Sequence, residues 1–197
     1  MDAEQVAALR AVLAPTGWLE QAAAFARLLR RSRTPGGLLV VGTPGDEPWH
    51  LAAHLDEESR LSGVPELSPT LVRWAPPLDA PPHLRIGMAR LERAERGETV
   101  LIVGTEVAPA PLLERVNDAR KRATVLALDQ GDPELEELAH EALTVTPGTA
   151  PVSFDGAQHL VSSAAGEPPG LTRRGLRQWL NRVLETVSGP APGRPGS

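Results

Sequence analysis

Two short apolar runs in this chain end on a glycine and give way to amphipathic segments. Leu38-Leu39-Val40-Val41-Gly42 passes through Thr43-Pro44-Gly45-Asp46 into Trp49-His50-Leu51-Ala52-Ala53-His54-Leu55. Val100-Leu101-Ile102-Val103-Gly104 passes through Thr105 to Ala110 into Pro111-Leu112-Leu113-Glu114-Arg115-Val116. A third run, Ala123-Thr124-Val125-Leu126-Ala127-Leu128, comes one helix later. Strands this uniformly apolar are buried on both faces, which predicts a parallel sheet covered by helices. Ligands on such sheets bind where strands end and helices begin, so the two glycine turns are where function is to be sought.

The rest of the pattern completes an α/β alternation. Asp2 can cap a first helix to about Leu13, with Gln5 in the capping-box position. A second helix from Trp18 to about Arg33 sets Leu19, Ala22, Ala23, Ala26, Leu29 and Arg30 along one side. Thr70-Leu71-Val72-Arg73-Trp74 predicts a short strand, and a helix is expected from about Leu84 to Arg96. Further helices are expected over 111–122, from Pro133 to about Ala142 and from Asp155 to about Gly166, with a strand at Leu143-Thr144-Val145. Thr172 to Val187 forms a last helix, and 188–197 has the composition of a disordered tail. This describes one domain over 1–187: N-terminal helices at 2–33, a core at 36–167 and a C-terminal helix at 172–187. Its fold class is a three-layer α/β/α sandwich with a parallel five-stranded sheet.

Composition narrows the function. A net charge of -5 leaves no electrostatic footprint for nucleic acid or an anionic membrane. There is no tyrosine and there are two phenylalanines, Phe25 and Phe154, so stacking on bases is disfavoured. With no cysteine, neither disulfides nor a thiolate site can form. The start lacks the basic and apolar regions of a signal peptide, and no apolar stretch reaches membrane-spanning length, so a cytoplasmic protein is expected. The Ala, Arg, Pro and Gly bias, with Lys121 the single lysine, fits a GC-rich bacterial genome.

From Trp18 to Glu167 the order of elements resembles the sugar isomerase (SIS) domain, and within it the phosphoheptose isomerase branch. Three stretches carry the likeness. Leu39-Val40-Val41-Gly42 with His50 to Leu55 is similar to the family's first strand and its His-x-x-x-Glu helix. Gly97-Glu98-Thr99-Val100-Leu101-Ile102 through Arg120 is similar to its second phosphate-loop unit, and Ala127-Leu128 to Val145 to the segment closing the sheet. The resemblance implies a sugar-phosphate site in two loops, at Thr43, Gly45 and Asp46 and at Thr105 and Glu106. It also implies paired domains. The apolar faces of the N-terminal helices, with Val6, Leu9, Leu13, Leu19 and Phe25, lead to an expected homodimer or tetramer.

The loops depart from that family where its chemistry lies. Hydroxyls and free N–H groups at helix N-termini hold phosphate oxygens. Here Asp46 and Glu106 stand where the family has serines, and Thr105 alone in the second loop keeps a hydroxyl. Each carboxylate opposes a dianion by on the order of 1 kcal/mol even when solvated. Pro44, Pro48 and Pro109 also remove amide donors.

His50 and His54 share a helical face at a spacing that can chelate a metal such as zinc, or they form a solvated or hydrogen-bonded pair. In the resembled isomerases this pair is a metal ligand and a catalytic acid/base glutamate, so His54 occupies the glutamate position. The further ligands would come from a late helix, where Asp155, Gln158 and His159 are nearest and a gapless alignment puts Ser163 at the family's histidine. These residues define a candidate metal set of His50, His54, Asp155 and His159, and a candidate catalytic pair of His54 and His159. His83 and His140 have no partner at useful spacing and are expected on the surface.

Other features read as solvated surface. Glu134, Glu136, Glu137 and Glu141 suit an exposed helix face, as do Arg173, Arg174, Arg177 and Arg182. Ser162-Ser163 has no nucleophile elbow, and Gly42-Thr43-Pro44-Gly45 lacks dinucleotide spacing. The expectation is a non-catalytic, homo-oligomeric SIS-like binding or regulatory module for a small sugar-like ligand, with no cofactor. The alternative is a metal-dependent sugar-phosphate isomerase.

Overall fold

A computed structural model of the protein describes residues 17–167. The elements are α1 (Trp18–Leu29), β1 (Leu38–Val41), α2 (Trp49–Ser62), β2 (Pro69–Val72), α3 (Ala89–Glu92), β3 (Thr99–Gly104), α4 (Ala110–Ala119), β4 (Thr124–Asp129), α5 (Pro133–Leu138), β5 (Glu141–Thr144) and α6 (Phe154–Gly166). All neighbouring strands pair in parallel in the order β2-β1-β3-β4-β5. The five-stranded parallel sheet with helices on both faces is as the apolar pattern predicts. The expected first helix, the helix at 172–187 and the tail at 188–197 lie outside the described residues.

Alternation along the strands divides the core into two halves. Leu38, Val40, Leu101, Val103, Leu126 and Leu128 point to a layer built by α1, α2 and α6. Leu39, Val41, Val100, Ile102, Val125 and Ala127 point to the layer of α3, α4 and α5. Because both sets are almost fully buried, the strands read as continuous apolar runs. Leu19 and Phe25, expected to leave an uncovered face, are 5% and 2% exposed within this chain's own core. They therefore offer no surface to a second copy; Val6, Leu9 and Leu13 lie outside the described residues. No helix among the described residues is long and apolar enough to cross a membrane.

Three helices stop well short of their predicted extents, each because tertiary hydrogen bonds take over. The helix expected to reach Arg33 stops at Leu29: Thr34 precedes a proline, and the Arg33 N–H donates to Gly97 O at 2.8 Å. The helix expected over 84–96 survives as Ala89–Glu92, after a 3-10 turn at Pro82–Leu84. Between them the Arg73 N–H donates to Ile86 O at 2.8 Å and Arg73 bridges Gly87, which holds that stretch extended beside the end of β2. The helix expected to reach Ala142 ends at Leu138 because the His140 N–H donates to Val125 O and the chain joins the sheet as β5. His140 is exposed, yet it is not without a partner: its Nδ1 accepts from the Val125 N–H at 2.9 Å. The helix expected over 111–122 runs 110–119, and the strand expected at 70–74 runs 69–72.

Candidate functional site

The strand order reverses between β1 and β3, and the crevice outside their carboxyl ends is where an open α/β sheet receives ligands. The turn after β1 forms one wall. A Cβ at Gly42 would lie 1.9 Å from Asp46 O, so only glycine lets the chain fold back this tightly. The Asp46 N–H then donates to Thr43 O at 3.2 Å, and Pro48 opens α2 without a side-chain cap.

Side chains arriving from the end of β2 strap this turn. The Arg73 Nε and Trp49 Nε1 groups both donate to Glu47 Oε2, at 2.9 and 3.0 Å. The Arg73 guanidinium also lies 4.7 Å over the Trp49 ring, a cation–π contact. Trp74 Nε1 donates to Gly42 O at 2.8 Å. Glu47, Trp49, Arg73 and Trp74 were not among the residues expected at the site. The signal for them was an arginine and an indole at the carboxyl end of a strand, beside the first glycine turn.

The turn after β3 is braced from behind by two carboxylates. Asp132 Oδ1 accepts from the Glu134 and Leu135 N–H groups and so caps α5, while its Oδ2 accepts from the Ala108 N–H at 2.7 Å. Asp129, paired in register with Gly104, accepts through Oδ1 from the Gly131 and Asp132 N–H groups at 2.6 and 3.1 Å. Burial pushes the Asp129 carboxyl above its ordinary pKa, against the pull of those two hydrogen bonds, with Glu136 and Asp132 raising it further. Its Oδ2 is buried without a hydrogen-bond partner, as is Thr43 Oγ1.

The two turns meet. Thr105 Oγ1 donates to Asp46 Oδ2 at 3.5 Å, and the Glu106 carboxylate lies 3.1 Å from where a Gly45 Cβ would stand. The facing wall comes from α6, whose start is capped by Ser153 Oγ accepting from the Gly156 N–H. Between the walls lies a crevice of about 520 Å³, into which face Asp46, Trp49, His50, His54, Thr105, Asp155, Gln158 and His159.

The structure thus brings together His50, His54, Asp155 and His159 from two helices, with Asp46 and Thr105 from the two turns. Thr43 is buried, while Gly45 and Glu106 meet at the contact between the turns. Ser163 lies deeper between the helices, its hydroxyl donating to Glu58 Oε1 at 3.4 Å. The His54 and His159 ring centroids are 4.1 Å apart with planes tilted by 58°, and those of His50 and His54 are 6.2 Å apart. Burial is the main cause of a lowered His54 pKa, reinforced by His159 and His50 and opposed by Glu57. Among the described residues, no three His, Asp or Glu side chains are arranged to hold a metal ion. The arrangement presents hydrogen-bond acceptors, imidazoles and a half-exposed indole to a small polar ligand.

No family model matches the chain, and no curated protein matches it. Among solved structures, the chain is similar to a protein from Salmonella typhimurium LT2 proposed to bind sugar, at 16% identity and a TM-score of 0.45. It is also similar to the Vibrio vulnificus NanR protein complexed with ManNAc-6P, at 14% identity and a TM-score of 0.38. The matches cover 84% and 89% of this chain, but 53% and 66% of the respective structures.

Proposed function

We propose that the chain is a non-catalytic, SIS-like module that binds a small sugar-like molecule lacking phosphate, and acts as a homo-oligomer in the cytoplasm. The observation that carries this reading is the chemistry of the crevice walls. Asp46 and Asp155 accept from ligand hydroxyls, Gln158 and the imidazoles both donate and accept, and Trp49 covers apolar ring faces. Hydrogen bonds to charged groups of this kind each contribute about 1.5–3 kcal/mol. Dianionic phosphate finds no such welcome. Asp46 and Glu106 occupy the two turns that would have to hold it, and α2 and α4 both open on prolines, Pro48 and Pro109.

Catalysis of the resembled isomerisation calls for a carboxylate base, and at that position this chain has His54. The test is a thermal-shift panel of neutral sugars, sugar phosphates and divalent metals on the purified protein. A neutral sugar that raises the melting temperature, with the rise lost in Asp155→Ala, supports the reading. Micromolar binding of a sugar phosphate overturns it. Sedimentation at micromolar concentration checks self-association, which a monomer rules out.

The three histidines in one crevice favour a second reading, a metal-dependent sugar-phosphate isomerase in which His50, His54, Asp155 and His159 rearrange around zinc. Metal analysis of dialysed protein separates the two. Stoichiometric zinc that is lost in His54→Ala promotes the enzyme, and no retained metal leaves the binding module.

A further inference from the structure

The charge balance of this crevice says more about its ligand than the absence of phosphate. Among the described residues, its lining holds three carboxylates, Asp46, Glu47 and Asp155, and neither arginine nor lysine. Elsewhere among the described residues, ion pairs join Arg60 to Asp56, Arg90 to Glu98, Arg115 to Glu92 and Lys121 to Asp118. Of the crevice acids, only Glu47 has such a partner, in Arg73. Asp46 receives the Thr105 hydroxyl and Asp155 the Gln158 amide, at the long distances of 3.5 and 3.4 Å. Glu106, just outside that lining, approaches Gly45 in the same turn as Asp46, so a further carboxylate stands at the junction of the two loops. A cavity able to enclose a small molecule thus carries uncompensated negative charge where both loops converge.

We propose that the ligand of this crevice is a hydroxylated primary amine, its ammonium seated at Asp46 and Glu106 and its hydroxyls along Asp155, Gln158 and His159. This rests on the reading of the crevice as a site for a small sugar-like molecule, and it inverts the polarity a phosphate would need. An ammonium has three donors and no acceptor, which suits carboxylates approaching from two loops. Charge-assisted hydrogen bonds of this type are about twice as strong as neutral ones.

The experiment is calorimetry on the full chain near neutral pH with three sets of probes. These are the 2-amino-2-deoxyhexoses glucosamine, galactosamine and mannosamine, the corresponding hexoses, and their 6-phosphates. At least one amino sugar should bind tenfold or more tightly than its neutral counterpart, and the advantage should weaken as salt is raised. Asp46→Asn with Glu106→Gln should erase that ratio, bringing the amino sugar's affinity to that of its neutral counterpart in the same variant. Since the ratio is read within one variant, a loss of folding, which removes both affinities, is not mistaken for the expected result. Asp155→Asn, on the opposite wall, supplies a second reading: it should weaken both probes and keep the ratio. A hexose that binds as well as its amino form overturns the amine proposal and leaves the sugar-binding reading standing. Preference for a 6-phosphate, or silence across the panel, overturns both.

Discussion

The two glycine turns look alike in sequence and are held by different physics. The turn after β1 is strapped from outside by side chains at the end of β2: the Arg73–Glu47 ion pair, Arg73 over Trp49, and the Trp74 indole on Gly42 O. The turn after β3 is held from inside, by Asp132 and Asp129 accepting backbone N–H groups beneath it. The first device puts charged and aromatic groups on the crevice rim. The second lies beneath the turn and consists of two buried carboxylates. One crevice thus has a wall held by side-chain contacts at its rim and a wall held by buried carboxylates beneath it.

Substitutions that attack one wall at a time test this contrast. The largest effect is expected for Gly42→Ala, because the new Cβ meets backbone oxygen, which cannot step aside as a side chain can. A loss of about 3 kcal/mol is expected, measured by urea unfolding, together with loss of ligand binding at the crevice. Unaltered stability would show that the first turn is softer than its geometry implies.

Next comes Asp132→Ala, which removes the α5 cap and strands the Ala108 N–H. About 2 kcal/mol should be lost, with hydrogen exchange accelerating over 105–109 rather than over 43–47. Exchange rising equally in both turns would dissolve the distinction between them. Trp74→Phe keeps the ring and removes one donor. It should cost about 1 kcal/mol and accelerate exchange in the first turn, leaving the second unchanged.

The smallest effect, of opposite sign, is expected for Asp129→Asn. Asn keeps an acceptor for the Gly131 and Asp132 N–H groups and removes a buried charge that Glu136 and Asp132 repel. Because the folded carboxyl titrates above its ordinary value of 3.8, the folded chain holds this proton to higher pH than the unfolded one. The penalty of the charge is therefore absent below that value and complete once pH has passed the raised one. Melting temperatures of both proteins across this range should coincide in acid and separate towards neutrality, with the variant the more stable. A difference that is constant with pH would mean that Asp129 acts by shape alone.

The sequence by itself determined the class of sheet, its five strands and the position of the crevice. Those properties follow from local signals: double-faced burial makes strands uniformly apolar, and glycine is required where Gly42 folds back on Asp46. The pairing of His50 with His54 was legible for the same reason, since helical spacing sets which side chains share a face. Tertiary structure decided where helices stop. At Arg33, at Ile86 and at His140 a backbone group found a partner on a distant segment, and no local pattern encodes that choice. It also decided who meets whom across the crevice. His54 comes to 4.1 Å from His159, and Arg73 reaches Glu47, only because α2, α6 and the end of β2 are packed around the same strand ends. Spacing along the chain fixes neighbours within one element; the encounter of two elements depends on the buried area that orients them, which is a property of the whole core.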